Sequence, residues 1–288
     1  MMLNTTPEKK DIQSKDGVSS QIRVFRSHDS DAAVIICMPA MGVAAKHYSP
    51  LAKTLAVLGW NVITADLRGN GDSLIKAGRG TDFGYHEMVV YDWPSIVNTA
   101  SDLFPHSNKF FLGHSLGGQL SALYMSRWPG KISALILVAA PLVYYRGWPF
   151  HYGLSLLLLT QIARMVSGVI GYFPAQRFGF GRRVSKKVSK DWAYTVRTGR
   201  YDPKGTDVNY EELLPRITAP VLAVSFSDDR YAPEMAVNNF CSKMSAADTT
   251  RWHLAPEEIG HKEMGHMGVL KPCDQFLMML SDWLSEKT

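Results

Sequence analysis

The chain predicts an α/β fold with a mostly parallel central sheet, helices on both faces and one helical insertion. Three observations carry this. Between residues 20 and 140, short apolar runs of strand length alternate with segments of helical periodicity, the mark of repeated βαβ units. The runs are continuously apolar rather than alternating, as expected of strands covered on both faces. The pattern stops at Pro141 and resumes after Pro215.

The elements follow in order. Residues 21–27 read as an antiparallel strand at the sheet edge, and 32–38 (Ala-Ala-Val-Ile-Ile-Cys-Met) as the first buried strand. Residues 50–59 carry apolar side chains at 51, 52, 55, 56 and 58, one face of a helix that Gly59 stops. Strands are expected at 61–65, 109–112 and 132–139, with a helix over 116–128 closed by Pro129-Gly130. From 142 to 215 there are helical stretches and a basic segment but no convincing buried strand. A strand at 219–225, a helix near 234–243, a strand near 249–254 and a helix from about 272 to 285 complete the chain. The economical division is a core of 1–141 and 216–288, with 142–215 folded over it as a helical cap.

Composition narrows the function classes. The 288 residues are 46% hydrophobic and 20% charged, which excludes a disordered or fibrous chain. A chain this long buries about three quarters of its unfolded surface, so it requires no disulfide or structural metal. Cys37, Cys241 and Cys273 are scattered and odd in number. That argues for a reducing compartment, and the cytoplasm is the expected location. The first ten residues are mostly polar and lack the apolar core of a signal peptide. A net charge of +5 is too mild to argue for nucleic acid.

The most apolar run, 153–173, is interrupted by Gln161 and Arg164, whereas a bilayer span takes about 20 uninterrupted apolar residues. It reads as a buried or surface-seeking helix, compatible with peripheral membrane contact. It is more apolar than one stripe requires. Either both faces pack, or part of it lines an apolar ligand-binding cleft. Just downstream, eight Lys and Arg residues between 176 and 200 face Asp191 as the one acid there. They form either a solvated face or an attractor for anionic groups such as a coenzyme A phosphate or an acidic lipid headgroup.

The most informative residues are Gly113-His-Ser-Leu-Gly-Gly118, set between an apolar strand and a helix. A serine on so sharp a turn takes a strained backbone that lifts its hydroxyl clear of the sheet, and the helix behind it points N–H groups at the site. Ser115 is therefore the candidate nucleophile. His114 beside it reads as a packing neighbour, because adjacent residues on this turn point apart.

With Asp66-Leu-Arg-Gly-Asn-Gly-Asp-Ser73, Ser225-Phe-Ser-Asp-Asp-Arg-Tyr-Ala-Pro233 and Gly265-His-Met-Gly268, these residues make the chain resemble the α/β-hydrolases with a helical cap. That group holds serine esterases, monoacylglycerol-lipase-like enzymes and uncharacterised hydrolases. The resemblance covers nearly the whole chain and implies a Ser-His-Asp triad. It places the acid four residues before a proline, at Asp229 relative to Pro233, and leaves Asp228 as a solvated or loop-capping neighbour. It places the base at His266, with His261 as the lesser candidate. His253 reads as a packing histidine in the last strand. His261, Glu263 and His266 lack the His-Glu-x-x-His spacing of a zinc site. Asp66 and Arg68 hold a turn in this family.

For the oxyanion hole the resemblance implies Leu116 and a second N–H donor from the loop after residue 38, where relatives carry His-Gly. Here the loop reads Met38-Pro39-Ala40-Met41-Gly42, and Pro39 has no N–H. Ala40 is the expected donor, with Met41 as the alternative. The expected activity is cleavage of a carboxylic ester or thioester, with a hydrophobic acyl group and no cofactor or metal. An acyltransferase using the same triad and a non-catalytic ligand-binding homologue remain as alternatives.

Overall fold

In the computed structural model, residues 6–178, 181–271 and 273–288 are described. Met1 to Thr5 of the polar N-terminal stretch, Gly179 and Phe180 within the basic segment, and Pro272 at the expected start of the last helix lie outside the described residues.

The strands are β1 (Glu8–Gln13), β2 (Ser19–Phe25), β3 (Val34–Met38), β4 (Asn61–Ala65), β5 (Lys109–His114), β6 (Ala134–Val138), β7 (Tyr172–Phe173), β8 (Val184–Ser185), β9 (Val221–Phe226) and β10 (Thr249–Leu254). Eight of them form one sheet in the order β1-β2-β4-β3-β5-β6-β9-β10. The run from β4 to β10 is parallel, while β1 and β2 join antiparallel. Strands β3, β4, β6 and β9 are buried at every residue, which accounts for the continuous apolar sequences of β3 and β6 and the mostly apolar ones of β4 and β9. The antiparallel strand expected at the edge is second from it. Polar β1 pairs with β2 and covers that edge, and its charged sequence (Glu-Lys-Lys-Asp-Ile-Gln) gives no apolar signal.

The helices are α1 (Ser49–Val57), α2 (Tyr85–Glu87), α3 (Trp93–Leu103), α4 (Leu116–Arg127), α5 (Phe150–Ile170), α6 (Lys186–Thr198), α7 (Tyr210–Leu213), α8 (Glu234–Cys241) and α9 (Asp274–Ser285). Helices α1 and α9 pack on each other, and α4 packs along β5 and β6. Between β6 and β9 the described chain holds α5, α6, α7 and the two-residue strands β7 and β8, which pair only with each other. Several bonds tie α6 to the core. The Lys187 N–H donates to Asp82 at 2.8 Å, the Tyr85 N–H donates to Asp191 at 2.9 Å, and Lys187 Nζ meets Glu87.

Helix α5 is oriented against the usual rule. Its buried residues are the small ones: Gly153, Thr160, Ala163 and Ser167. The Thr160 and Ser167 hydroxyls donate back to the carbonyls of Leu157 and Arg164. Leu154, Leu158, Ile162, Met165 and Val169 recur at three- and four-residue spacing on the opposite, exposed face, Val169 with 82% of its surface free. The exposed stripe fits the surface-seeking reading of this helix, and its large apolar side chains do not all pack on two faces. Leu156, Leu157, Leu159, Val166 and Ile170 are half-buried beside the small residues, which let the helix sit close over its neighbours.

Candidate active site

Ser115, Leu116, Ala40, Met41 and Asp229 lie just beyond the carboxyl ends of parallel strands β5, β3 and β9, and His266 lies on the long loop after β10, at the edge where open α/β sheets hold their ligands. Ser115 follows β5 directly and takes φ 53° and ψ −119°. That conformation is costly for a residue with a Cβ and persists only where the surroundings impose it. Here the Ser115 N–H donates to the Val138 carbonyl at 3.0 Å, and the Ser115 carbonyl accepts from Gly118 N and Gln119 N. The glycines of the motif are dictated by contact. A Cβ on Gly113 would lie 2.3 Å from the Gly118 Cα, and one on Gly117 would lie 2.2 Å from the Met38 carbonyl oxygen.

His266 Nδ1–H donates to Asp229 Oδ2 at 2.8 Å, and the Asp229 carboxylate is fully buried. Asp229 Oδ1 accepts from the N–H groups of Tyr231 at 2.8 Å and Ala232 at 3.1 Å, so the carboxylate is fixed from its own loop. A carboxylate acceptor at Nδ1 puts the proton there and leaves Nε2 bare, the tautomer a general base needs. No hydrogen bond joins Ser115 Oγ to His266 among the described residues; substrate-free sites commonly hold this pair apart.

Asp228, half-buried, is the loop-capping neighbour of the two alternatives expected for it. Its Oδ2 accepts from Met264 N at 2.8 Å and Gly265 N at 3.0 Å, capping the loop that carries His266, while its Oδ1 is buried with no partner among the described residues. His253 bonds Ser225 Oγ at 2.9 Å along the sheet, away from Asp229. His261 makes no bond to Asp229. Asp66 accepts from Ala45 N and Asp72 N, and Arg68 spans Asp92 and Asp16, so both residues hold turns. Among the described residues no three His, Cys, Asp or Glu side chains converge as metal ligands would.

Leu116 opens α4, where an N–H has no intrahelical acceptor. Ala40 departs from expectation. Its N–H donates to Tyr48 Oη at 2.9 Å and is not free for substrate. The Met41 N–H, named as the alternative, makes no hydrogen bond among the described residues, and Met41 and Leu116 line the same small cavity with Gly42, Arg68 and Arg182. Tyr48 stands in no motif and carries no sequence signal. His114 is fully buried, and burial, with His266 nearby, holds its imidazole well below the ordinary histidine range, hence neutral.

The chain matches the family described as Serine aminopeptidase, S33, over residues 29–257. It is similar to the monoacylglycerol lipase of Mycolicibacterium smegmatis, 22% identical over 262 residues, 86% of this chain and 88% of the relative. It is also similar to lysophospholipase L2 of Escherichia coli K12, 29% identical over 199 residues, 66% of this chain and 54% of the relative. The monoglyceride lipase of Rattus norvegicus is 23% identical over 292 residues, 96% and 90% of the two chains. Among solved structures, the esterase EaEST from Exiguobacterium antarcticum aligns with a TM-score of 0.65 at 19% identity, covering 96% of this chain and 99% of that one. At that identity the likeness speaks for the fold.

Proposed function

The chain belongs to the serine aminopeptidase S33 family of α/β-hydrolases, and on that premise we propose that it cleaves carboxylic esters or thioesters of hydrophobic acyl chains through Ser115, His266 and Asp229. It is a serine hydrolase of the lipase and esterase kind. In the proposed mechanism Ser115 Oγ attacks the acyl carbon while His266 Nε2 takes its proton. Asp229 stabilises the imidazolium across the Nδ1–H bond. The N–H groups of Leu116 and Met41 receive the oxyanion. The alcohol or thiol leaves with the proton from His266. Water, deprotonated by the same nitrogen, then releases the acid and restores Ser115. The single observation that supports this reading most is the His266–Asp229 bond on loops beside the strained Ser115 turn.

Residues 142–215 act as the cap in this account. Exposed Tyr231, Met235 and Met267 add apolar surface to the loops around Asp229 and His266, and α5 presents its apolar stripe outward. These features favour an acyl ester taken from a lipid surface on which α5 rests. The relatives named for monoacylglycerols and lysophospholipids point the same way. A series of soluble esters of graded acyl length tests the substrate class. Each added buried methylene contributes about 0.8 kcal/mol, so kcat/KM should rise about fourfold per carbon until the site is filled. A preference for acetyl esters overturns the hydrophobic-acyl reading. Product analysis with an added alcohol acceptor separates hydrolysis from acyl transfer.

A further inference from the structure

Three hydrogen bonds join in one buried line across the site. The Ala40 N–H donates to Tyr48 Oη at 2.9 Å, Tyr48 Oη meets His114 Nδ1 at 2.6 Å, and His114 Nε2 meets the His266 carbonyl oxygen at 2.8 Å. Tyr48 is 1% exposed and His114 is 0% exposed. The direction of every bond follows from elementary chemistry. A carbonyl oxygen only accepts, so the proton sits on His114 Nε2. A neutral imidazole then has a bare Nδ1, which must accept. Tyr48 therefore donates its hydroxyl proton to Nδ1 and accepts the Ala40 N–H on the same oxygen. The line is satisfied throughout, with a fixed tautomer and a fixed rotor.

We propose that Tyr48 and His114 are positioning residues that tie the loop carrying the second oxyanion donor to the loop carrying the base. The inference rests on the triad reading above. One end of the line is the Ala40 N–H, one residue before Met41, whose own N–H is uncommitted among the described residues. The other end is the backbone of His266 itself. Fixing Ala40 orients the next peptide, and fixing the His266 carbonyl sets the height from which its ring reaches Ser115. The line also accounts for the absent His-Gly: Ala40 spends its N–H on the scaffold and leaves Met41 to face the oxyanion.

Tyr48→Phe tests this, because it keeps the ring and removes the one oxygen that serves both neighbours. Removing an oxyanion donor outright lowers kcat by about 10²–10³-fold, so loosening one should lower it by about 10–100-fold with KM changed less than twofold. A trifluoromethyl ketone supplies the second readout. Ser115 Oγ adds to its carbonyl carbon, the C=O π pair becomes the oxyanion, and the serine proton passes to His266. Affinity for this ketone should fall by the same factor as kcat. Two variants divide the line. In His114→Asn the amide oxygen replaces Nδ1 and keeps Tyr48, while in His114→Gln the amide nitrogen replaces Nε2 and keeps the His266 carbonyl. The Asn variant should hold the ketone more tightly than the Gln variant. The proposal is overturned if Tyr48→Phe loses thermal stability while kcat and ketone affinity stay at wild-type values, or if the two His114 variants bind the ketone equally. A wild-type protein that neither hydrolyses esters nor binds the ketone overturns the triad reading instead.

Discussion

Asp228 and Asp229 are adjacent carboxylates with opposite expected responses to the same isosteric change. In Asp229→Asn the amide oxygen stays with the Tyr231 and Ala232 N–H donors, so the NH₂ group faces His266 Nδ1. That nitrogen must then accept, the ring proton moves to Nε2, and Ser115 loses its base. A tautomer error of this kind lowers kcat by about 10⁴-fold. In Asp228→Asn the amide oxygen takes the place of Oδ2 and still accepts from Met264 N and Gly265 N. What is lost is charge assistance, about 1 kcal/mol for each of two bonds, so stability should fall by about 2 kcal/mol. The loop stays capped, and kcat should remain within about tenfold of wild type. Steady-state kinetics on a soluble ester, with urea midpoints for both variants, measure the two effects separately. Equal losses of kcat, or the larger loss at Asp228, would refute the assignment of the acid.

Other consequences can be measured directly. Burial pushes the Asp191 carboxyl up to about 7 from its ordinary 3.8. A folded-state pKa above the unfolded one makes stability fall as pH rises between those values, by at most about 4 kcal/mol. The stability of Asp191→Asn relative to wild type should therefore climb from pH 4 to pH 8 in urea titrations, and a flat difference contradicts it. In the basic segment, Lys187 is engaged by Glu87 and Arg183 stacks on Tyr172; of the six other basic residues there, Arg182 and Lys186 are the charges to reverse. If they steer an anionic thioester, reversal and added salt should each lower its kcat/KM while a neutral ester barely responds; identical salt curves return the segment to a solvated face. Leu158→Glu with Ile162→Glu should abolish flotation with anionic lipid vesicles and leave hydrolysis of a soluble short ester intact. Retained flotation removes α5 as the contact.

The core was legible because its strands are buried on both faces and its turns carry glycines that nothing else fits, as at Gly113 and Gly117. The strand β1 was not, because an edge strand exposed on both sides has no apolar pattern to read. Helix α3, Trp93–Leu103, was also passed over. It follows a π-helical turn at Met88–Asp92 that breaks the helical period. For α5 composition gave the helix but not its orientation, which depends on small residues finding a close neighbour. That the Ala40 N–H is already committed was hidden for a comparable reason. Whether Ala40 or Met41 has a free N–H depends on Tyr48, a residue no motif marks, whose hydroxyl reaches the loop only in the folded chain.

The central claim is that Ser115 is an activated nucleophile. A fluorophosphonate reagent, followed by digestion and mass spectrometry, tests it most directly. The account predicts one adduct, on Ser115, in step with loss of esterase activity. Ser115→Ala should show neither, its kcat reduced by about 10⁴-fold or more. An adduct on a different serine that persists in Ser115→Ala, or an active wild type that takes no label, would contradict it.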